Sequence, residues 1–294
     1  MNSVSINEEM KKNPELKKED IKALEEWSSG QLHLPKISES DFALFLHCNS
    51  YDVEATKEHI ENFYTMRTHL PEFFADRDPE KNATLRKTFD RVSIISLEKR
   101  TKEGYKIILT RLIDTDANNY VFNDAIKFLN MVLDICVHEE GTSEGYVIVV
   151  DLNGANISHT TRLTWLGLKK FMLYIHKAAP IKWKGLHYIN TGKSSNELED
   201  FVVEKIVNSI FVARISLHSS MEKAGDVLSL DIKSIGPVLA LHKAEIKKLE
   251  SYRNWFLKSE TQFKVNETLR VGGPMDADKL FGADKPNFRN LDID

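Results

Sequence analysis

The chain has 294 residues, 41% hydrophobic and 29% charged, the balance of a folded globular protein and not of a disordered one. Its formal charge of −4 excludes a dedicated nucleic-acid binder, which needs a clear surplus of Lys and Arg, and no apolar run approaches the ~20 residues of a membrane span. Two cysteines, Cys48 and Cys136, do not make a disulfide scaffold, and the stretch from Met1 to Lys18 lacks the apolar segment of a secretory signal. The expected location is therefore cytoplasmic, at most peripheral to membranes. The glycosylation patterns at Asn82, Asn156 and Asn266 would then go unused.

Residues 1–90 read as a small helical domain. Ile21, Leu24 and Trp27 recur at helical spacing, with Gly30 as a stop. Ser40 or Asp41 is expected to cap a short helix carrying Phe42, Leu44, Phe45 and Leu46. Asp52 opens a longer one, 53–70, ended by Pro71, whose ring clashes with the preceding turn. A further helix follows Pro79.

The pattern changes over 91–260. Tyr105 to Ile113 is rich in β-formers, Val121 to His138 is an amphipathic helix, and Gly145 to Leu152 is the near-continuous apolar run of a strand buried on both faces. A helix over 163–179, a strand over 186–190, a helix over 196–211, a strand over 212–217 and another at 227–232 complete the alternation. That alternation predicts an α/β domain with a mainly parallel sheet and crossover helices. A long charged helix over 237–258 precedes a loop-like tail, 261–294, expected to pack on the surface.

No catalytic set emerges. Gly192-Lys193-Ser194 sits where a phosphate loop belongs, but the first glycine of that motif would fall at His187, inside a strand. Asp114, Asp116 and Asn118 start like a calcium loop, yet Asn119 stands where Gly is required and Ala125 where the bidentate Glu is required. The histidines form no metal-binding pair with a third ligand. The expectation is a chain that is not an enzyme and needs no cofactor or metal.

What remains is an apolar set that fills a core or lines a cavity, and periodicity alone leaves both open. Tyr146, Ile148 and Val150 share one face of the central strand, and Leu186 and Tyr188 share one in the next. Phe128, Val132 and Ile135 form a stripe on one helix, and Phe171, Tyr174 and Ile175 on another. Leu198, Phe201, Val202, Ile206 and Ile210 lie along a third. Tyr146, Tyr174 and Tyr188 offer hydroxyls to one polar group on an otherwise apolar ligand.

Three segments resemble the CRAL-TRIO family. They are Asp41-Phe-Ala-Leu-Phe-Leu-His47 with Tyr51-Asp-Val-Glu-Ala55, Asp151-Leu-Asn-Gly154 after its apolar strand, and Pro180-Ile-Lys-Trp-Lys-Gly-Leu-His-Tyr-Ile-Asn190. The resemblance spans roughly residues 15–260, and Phe288 to Asp294 is similar to insect members. It implies a CRAL-TRIO lipid-binding domain in which the helix at Ser195–Ile210 gates an apolar pocket. It further implies a monomer that binds a small hydrophobic lipid of tocopherol, retinoid or phospholipid type and releases it at membranes. The family's phosphoinositide-binding cations match at Lys182, Lys184 and Arg214, whereas Ile210 and Val212 stand where relatives place Lys. Leu44 and His47 replace Arg of the first module, and Ser234 to Pro237 shortens a later segment. The alternative this leaves is a phosphoinositide-responsive adaptor with a vestigial pocket.

Overall fold

The computed structural model describes residues 1–191, 215–228 and 238–282. The predicted helix at 196–211 and the gate within it lie outside the described residues, as do Gly192-Lys193-Ser194, the segment 234–237 and the tail from residue 283.

Six helices precede the sheet: α1 (Ile6–Lys12), α2 (Lys18–Ser29), α3 (Glu39–Cys48), α4 (Val53–His69), α5 (Pro71–Phe74) and α6 (Ala83–Arg91). The polar N-terminus is itself helical, because Ser5 and Glu8 form a reciprocal capping box that satisfies two end N–H groups. Ser38, not Ser40 or Asp41, caps α3, its hydroxyl accepting from the Asp41 N–H. Asp52 caps α4 as expected, and Pro71 both ends α4 and opens α5, where its missing N–H costs no bond. Leu24, Phe42, Phe45 and Phe63 form the core of α2–α4. Phe263 and Val265 enter that core, so the segment after Gln262 is built into the helical region and does not merely wrap it.

The sheet comprises β1 (Val92–Arg100), β2 (Lys106–Leu112), β3 (Tyr146–Asp151), β4 (Trp183–Ile189) and β5 (Ile215–His218), in that order. β1 is antiparallel to β2, and the remaining pairs are parallel. Sequence reading missed β1, although Val92, Ile94 and Ser96 alternate faces with Ser93, Ile95 and Leu97. The crossover helices include α7 (Phe122–Glu140), α8 (Ile157–Thr160) and α9 (Trp165–Lys177). Residues 221–228 form a helix, which replaces the strand expected to begin at Val227. The long helix expected over 237–258 is two, Val238–Ser251 and Arg253–Gln262, separated at Tyr252.

The register sorts the side chains. Ile94, Ile108, Ile148, Leu186 and Tyr188 share the face covered by α7 and α9. Ile95, Ile107, Leu109, Val147, Val149 and Ile189 face the other way, with Ala224, Val238 and Leu241 among their partners. The fold is thus a helical N-terminal region followed by an α/β domain whose five-stranded sheet is mostly parallel. Both cysteines are free, and burial pushes their thiols up, Cys48 to about 12 and Cys136 to about 11.

Candidate ligand-binding cavity

Between the α7–α9 face of the sheet and those helices lies a cavity of about 180 Å³. It sits toward the carboxyl ends of the parallel strands, where ligands of open α/β sheets bind because the crossover loops diverge there. Ile148, Val150, Leu186 and Tyr188 form its floor, Phe122, Ala125, Ile126 and Leu129 of α7 one wall, and Leu168, Phe171 and Met172 of α9 another.

The polar framework at its edge explains two of the sequence motifs. Asn190, just past β4, adopts a left-handed backbone (φ 60°), which Asn tolerates better than most residues. Its Nδ2 then donates to Asp151 Oδ1 at 2.7 Å, tying the ends of β3 and β4 together. The other side of the Asp151 carboxylate faces Arg111 Nε at 3.9 Å, and Oδ1 also accepts from the Asn153 N–H. Gly154 completes the turn at φ +83°, and a Cβ there would meet Thr115 at 2.5 Å. Asp116 caps the adjacent one-turn helix, Ala117–Asn119, accepting from the Asn118 N–H, and Asp114 Oδ1 accepts from the Asp116 N–H. Among the described residues no three metal-capable side chains cluster.

Of the residues singled out in the sequence, Ile148, Val150, Phe171, Leu186 and Tyr188 line the cavity. Phe128, Val132 and Ile135 do not. They occupy other faces of α7, Phe128 meeting Phe89 edge-on at 4.7 Å. The cavity stripe is Phe122, Ala125, Ile126 and Leu129 instead. Outside the polar stripe of Asn123, Lys127, Asn130, Asp134 and His138, α7 is apolar and buried over a broad arc, and spacing cannot choose among the apolar stripes within it. Tyr146 is likewise off the cavity, about 13 Å from Val150 along the strand. Ile175 is buried in the main core, and Tyr174 accepts a hydrogen bond from Arg67 at 3.1 Å. Leu198, Phe201, Val202 and Ile206 lie outside the described residues. Sequence reading missed Thr110, Arg111, Tyr120 and His159, which also line the cavity and carry its polarity.

The basic residues gather elsewhere. Lys182 Nζ lies 3.1 Å from His47 Nε2, and Lys184 sits over the Tyr105 ring at 5.1 Å. Burial, then Lys182, Lys12 and Lys184, push the His47 pKa down to about 4, so the ring is neutral. Arg214 lies outside the described residues.

Comparison with known proteins fits this architecture. Residues 13–84 match the model of the Pinta-like UBA domain, and residues 90–230 match that of the CRAL/TRIO domain. The chain contains a CRAL/TRIO domain. It is 23% identical over 258 residues to a mouse protein named alpha-tocopherol transfer protein-like, an alignment covering 82% of this chain and 74% of that protein. Human and orangutan proteins of the same name are 23% identical over 219 residues, covering 72% of this chain and 63% of theirs. The segments Asp151–Gly154 and Pro180–Asn190 that carry the resemblance fall inside the CRAL/TRIO match, and in the structure they frame the cavity's edge.

Proposed function

We propose that this chain is a non-catalytic carrier that takes up an apolar lipid at the cavity between the sheet and helices α7 and α9 and releases it at membranes. The domain and the similarity to proteins named for tocopherol transfer support lipid binding and transfer in general. The observation that carries the reading is the cavity itself. An apolar group placed there gains on the order of 25 cal/mol for each Å² it removes from water. The cavity's volume suits one ring or the head of a lipid. Accommodating the rest of a tocopherol- or retinoid-sized molecule requires the walls to part, which couples loading to an opening motion.

Four large apolar side chains are exposed at the ends of elements that carry the cavity's lining: Ile113 after β2, Val121 before α7, Ile157 at the start of α8 and Trp165 at the start of α9. An apolar rim around the mouth gains a partner when the protein meets a bilayer, which gives opening a place to occur. No helix among the described residues is long and apolar enough to cross a membrane, so contact through this rim would be peripheral.

The test is transfer of a fluorescent tocopherol or retinoid analogue between donor and acceptor vesicles. A rate that rises in proportion to protein concentration supports the carrier; a rate equal to spontaneous transfer overturns it. A second reading, an adaptor that responds to phosphoinositides, draws on the convergence of Lys12, Lys182 and Lys184 on His47. It requires binding to phosphoinositide vesicles that drops in a Lys182→Ala/Lys184→Ala variant, and unchanged binding removes it.

A further inference from the structure

On the face of the sheet turned away from the cavity, two buried histidines meet, His187 of β4 and His218 of β5. His187 alternates with the cavity-lining Leu186 and Tyr188 and so points to the opposite side, as does Ile189, the register partner of His218. Nδ1 of His187 lies 3.1 Å from Nε2 of His218, the ring planes differ by 11° and the centroids are 5.4 Å apart. That centroid separation is the N···N distance plus a ring radius at each end, so the two imidazoles lie end to end in one plane. One proton fits between the two nitrogens, one ring donating and the other accepting. Each ring keeps one outer nitrogen. A first added proton sits there and leaves the shared bond intact. A second must enter the bond itself, and it sets two N–H groups and two cations against each other.

Among the described residues no counter-charge eases that state. Burial holds both rings below their ordinary pKa, His187 at about 4, and the one ionisable group acting on His187 is His218 itself. The register neighbours of His187 are Val149 and Ser216. Helix Met221–Leu228, which packs on β4 and β5, holds Glu222 and Lys223 exposed. Helix Val238–Ser251 backs the same face through Val238 and Leu241, with Lys243 and Lys247 exposed. Its His242 is held on the Phe89 carbonyl, Glu245 on the Ser96 N–H, Lys248 on Glu139 and Glu250 on Arg86. Asp151, two strands from His218 in the same register row, is bonded by Asn190. A closed ring with a pKa below the ordinary 6.5 refuses a proton that an open one takes. The contact is therefore complete above pH 6.5 and loosens as the pH falls toward 4, about tenfold per pH unit for each ring that takes a proton.

From this we infer that the His187–His218 pair is an acid-operated joint between β4 and β5, closed while the rings share one proton and opened when each carries its own. Opening reaches the cavity, because Leu217 of β5 is the register partner of Tyr188 in the cavity floor and packs against the same core. Faster ligand release in acid follows, and that consequence rests on the carrier reading. Hydrogen exchange of the full chain tests the joint without any ligand. Between pH 7 and 5, protection of the β5 amides, corrected for intrinsic rates, should fall about tenfold or more relative to β2. His218→Gln, whose amide reaches the position of Nε2, should shrink that fall, and His187→Asn/His218→Gln should nearly abolish it. Where the variants fail to fold, the wild type decides: no fall in β5, or an equal fall in β2, overturns the inference. Dissociation of a fluorescent tocopherol analogue should quicken severalfold over the same range in the wild type and not in the double variant. A rate indifferent to pH despite loosened β5 amides overturns control of release. An analogue that never binds removes the carrier reading and leaves the joint standing on the exchange result.

Discussion

Arg67 on α4 and Asp134 on α7 meet as a two-oxygen pair, Nη1 at 2.9 Å from Oδ1 and Nη2 at 2.6 Å from Oδ2. Arg77 adds a third bond to the same carboxylate at 2.6 Å, and Tyr174 accepts from Arg67. The Arg67 guanidinium also stacks near Phe63, Phe74 and Phe263. One buried carboxylate therefore joins the helical region, the sheet-covering helices and the segment after the last long helix. Burial opposes ionisation of Asp134, and the two guanidinia overcome it, holding its pKa below the ordinary carboxylate value.

Asp134→Asn strands two buried cations and should destabilise the protein by about 3–5 kcal/mol in urea unfolding. Tyr174→Phe removes a single hydrogen bond at the same hub and should cost about 1 kcal/mol. Equal losses would mean that the carboxylate is not the hub.

His59 links α4 to the α/β domain, its Nε2 donating to the Ala179 carbonyl while Asn49 donates to Nδ1. Burial lowers its pKa from 6.5 to about 4, against the opposing pull of the Ala178 and Ala179 carbonyls. In that window the unfolded chain binds a proton the native ring refuses. Stability is thus complete above pH 6.5 and falls as the pH drops toward 4. The slope should be about 1.4 kcal/mol per pH unit from this histidine, with His47 and His187 contributing in the same direction. Chemical denaturation at stepped pH should show a shallower slope in His59→Gln, and an unaltered slope would exclude His59 as a source.

Asn190 makes separable backbone and side-chain contributions. Asn190→Gly keeps the left-handed turn and loses the bond to Asp151, at about 1 kcal/mol. Asn190→Ala loses both and should cost about 1 kcal/mol more, because a Cβ strains the αL conformation. Thermal melts of the two variants measure the difference; identical melts would show that the backbone conformation carries no strain.

These cases show what the sequence makes legible. Periodicity located most helices and four of the strands, and strand alternation placed Ile148, Val150, Leu186 and Tyr188 on the cavity side. It could not select the right stripe of α7, because the apolar arc of that helix is broad enough to hold several. It missed Arg67 and Arg77 entirely, since an arginine in a mixed helix or loop looks like a solvated charge until its acidic partner is seen. Asp151 and Asn190 stood out only as motif letters. Their bond across the ends of β3 and β4 gives the motif a physical reason.

Trp165 is 43% exposed beside the cavity's lining residues, with Val121 and Ile157 also exposed nearby. An amphipathic indole there should enter the interfacial region of a bilayer. Trp165→Ala is expected to reduce sedimentation with neutral phospholipid vesicles several-fold while leaving the melting temperature within the range of a surface substitution. Vesicle binding equal to wild type would place membrane contact elsewhere on the molecule.

Occupancy of the cavity tests the central claim most directly. Ala125 points from α7 into it, so Ala125→Phe should fill the space a ligand needs. Wild-type and variant protein, purified identically, would be extracted with organic solvent and the extracts compared by mass spectrometry. One apolar lipid recovered near one per chain from the wild type, and lost from a folded Ala125→Phe variant, is the predicted result. No apolar compound from the wild type, with no uptake of added lipid, or equal recovery from both proteins, would contradict it.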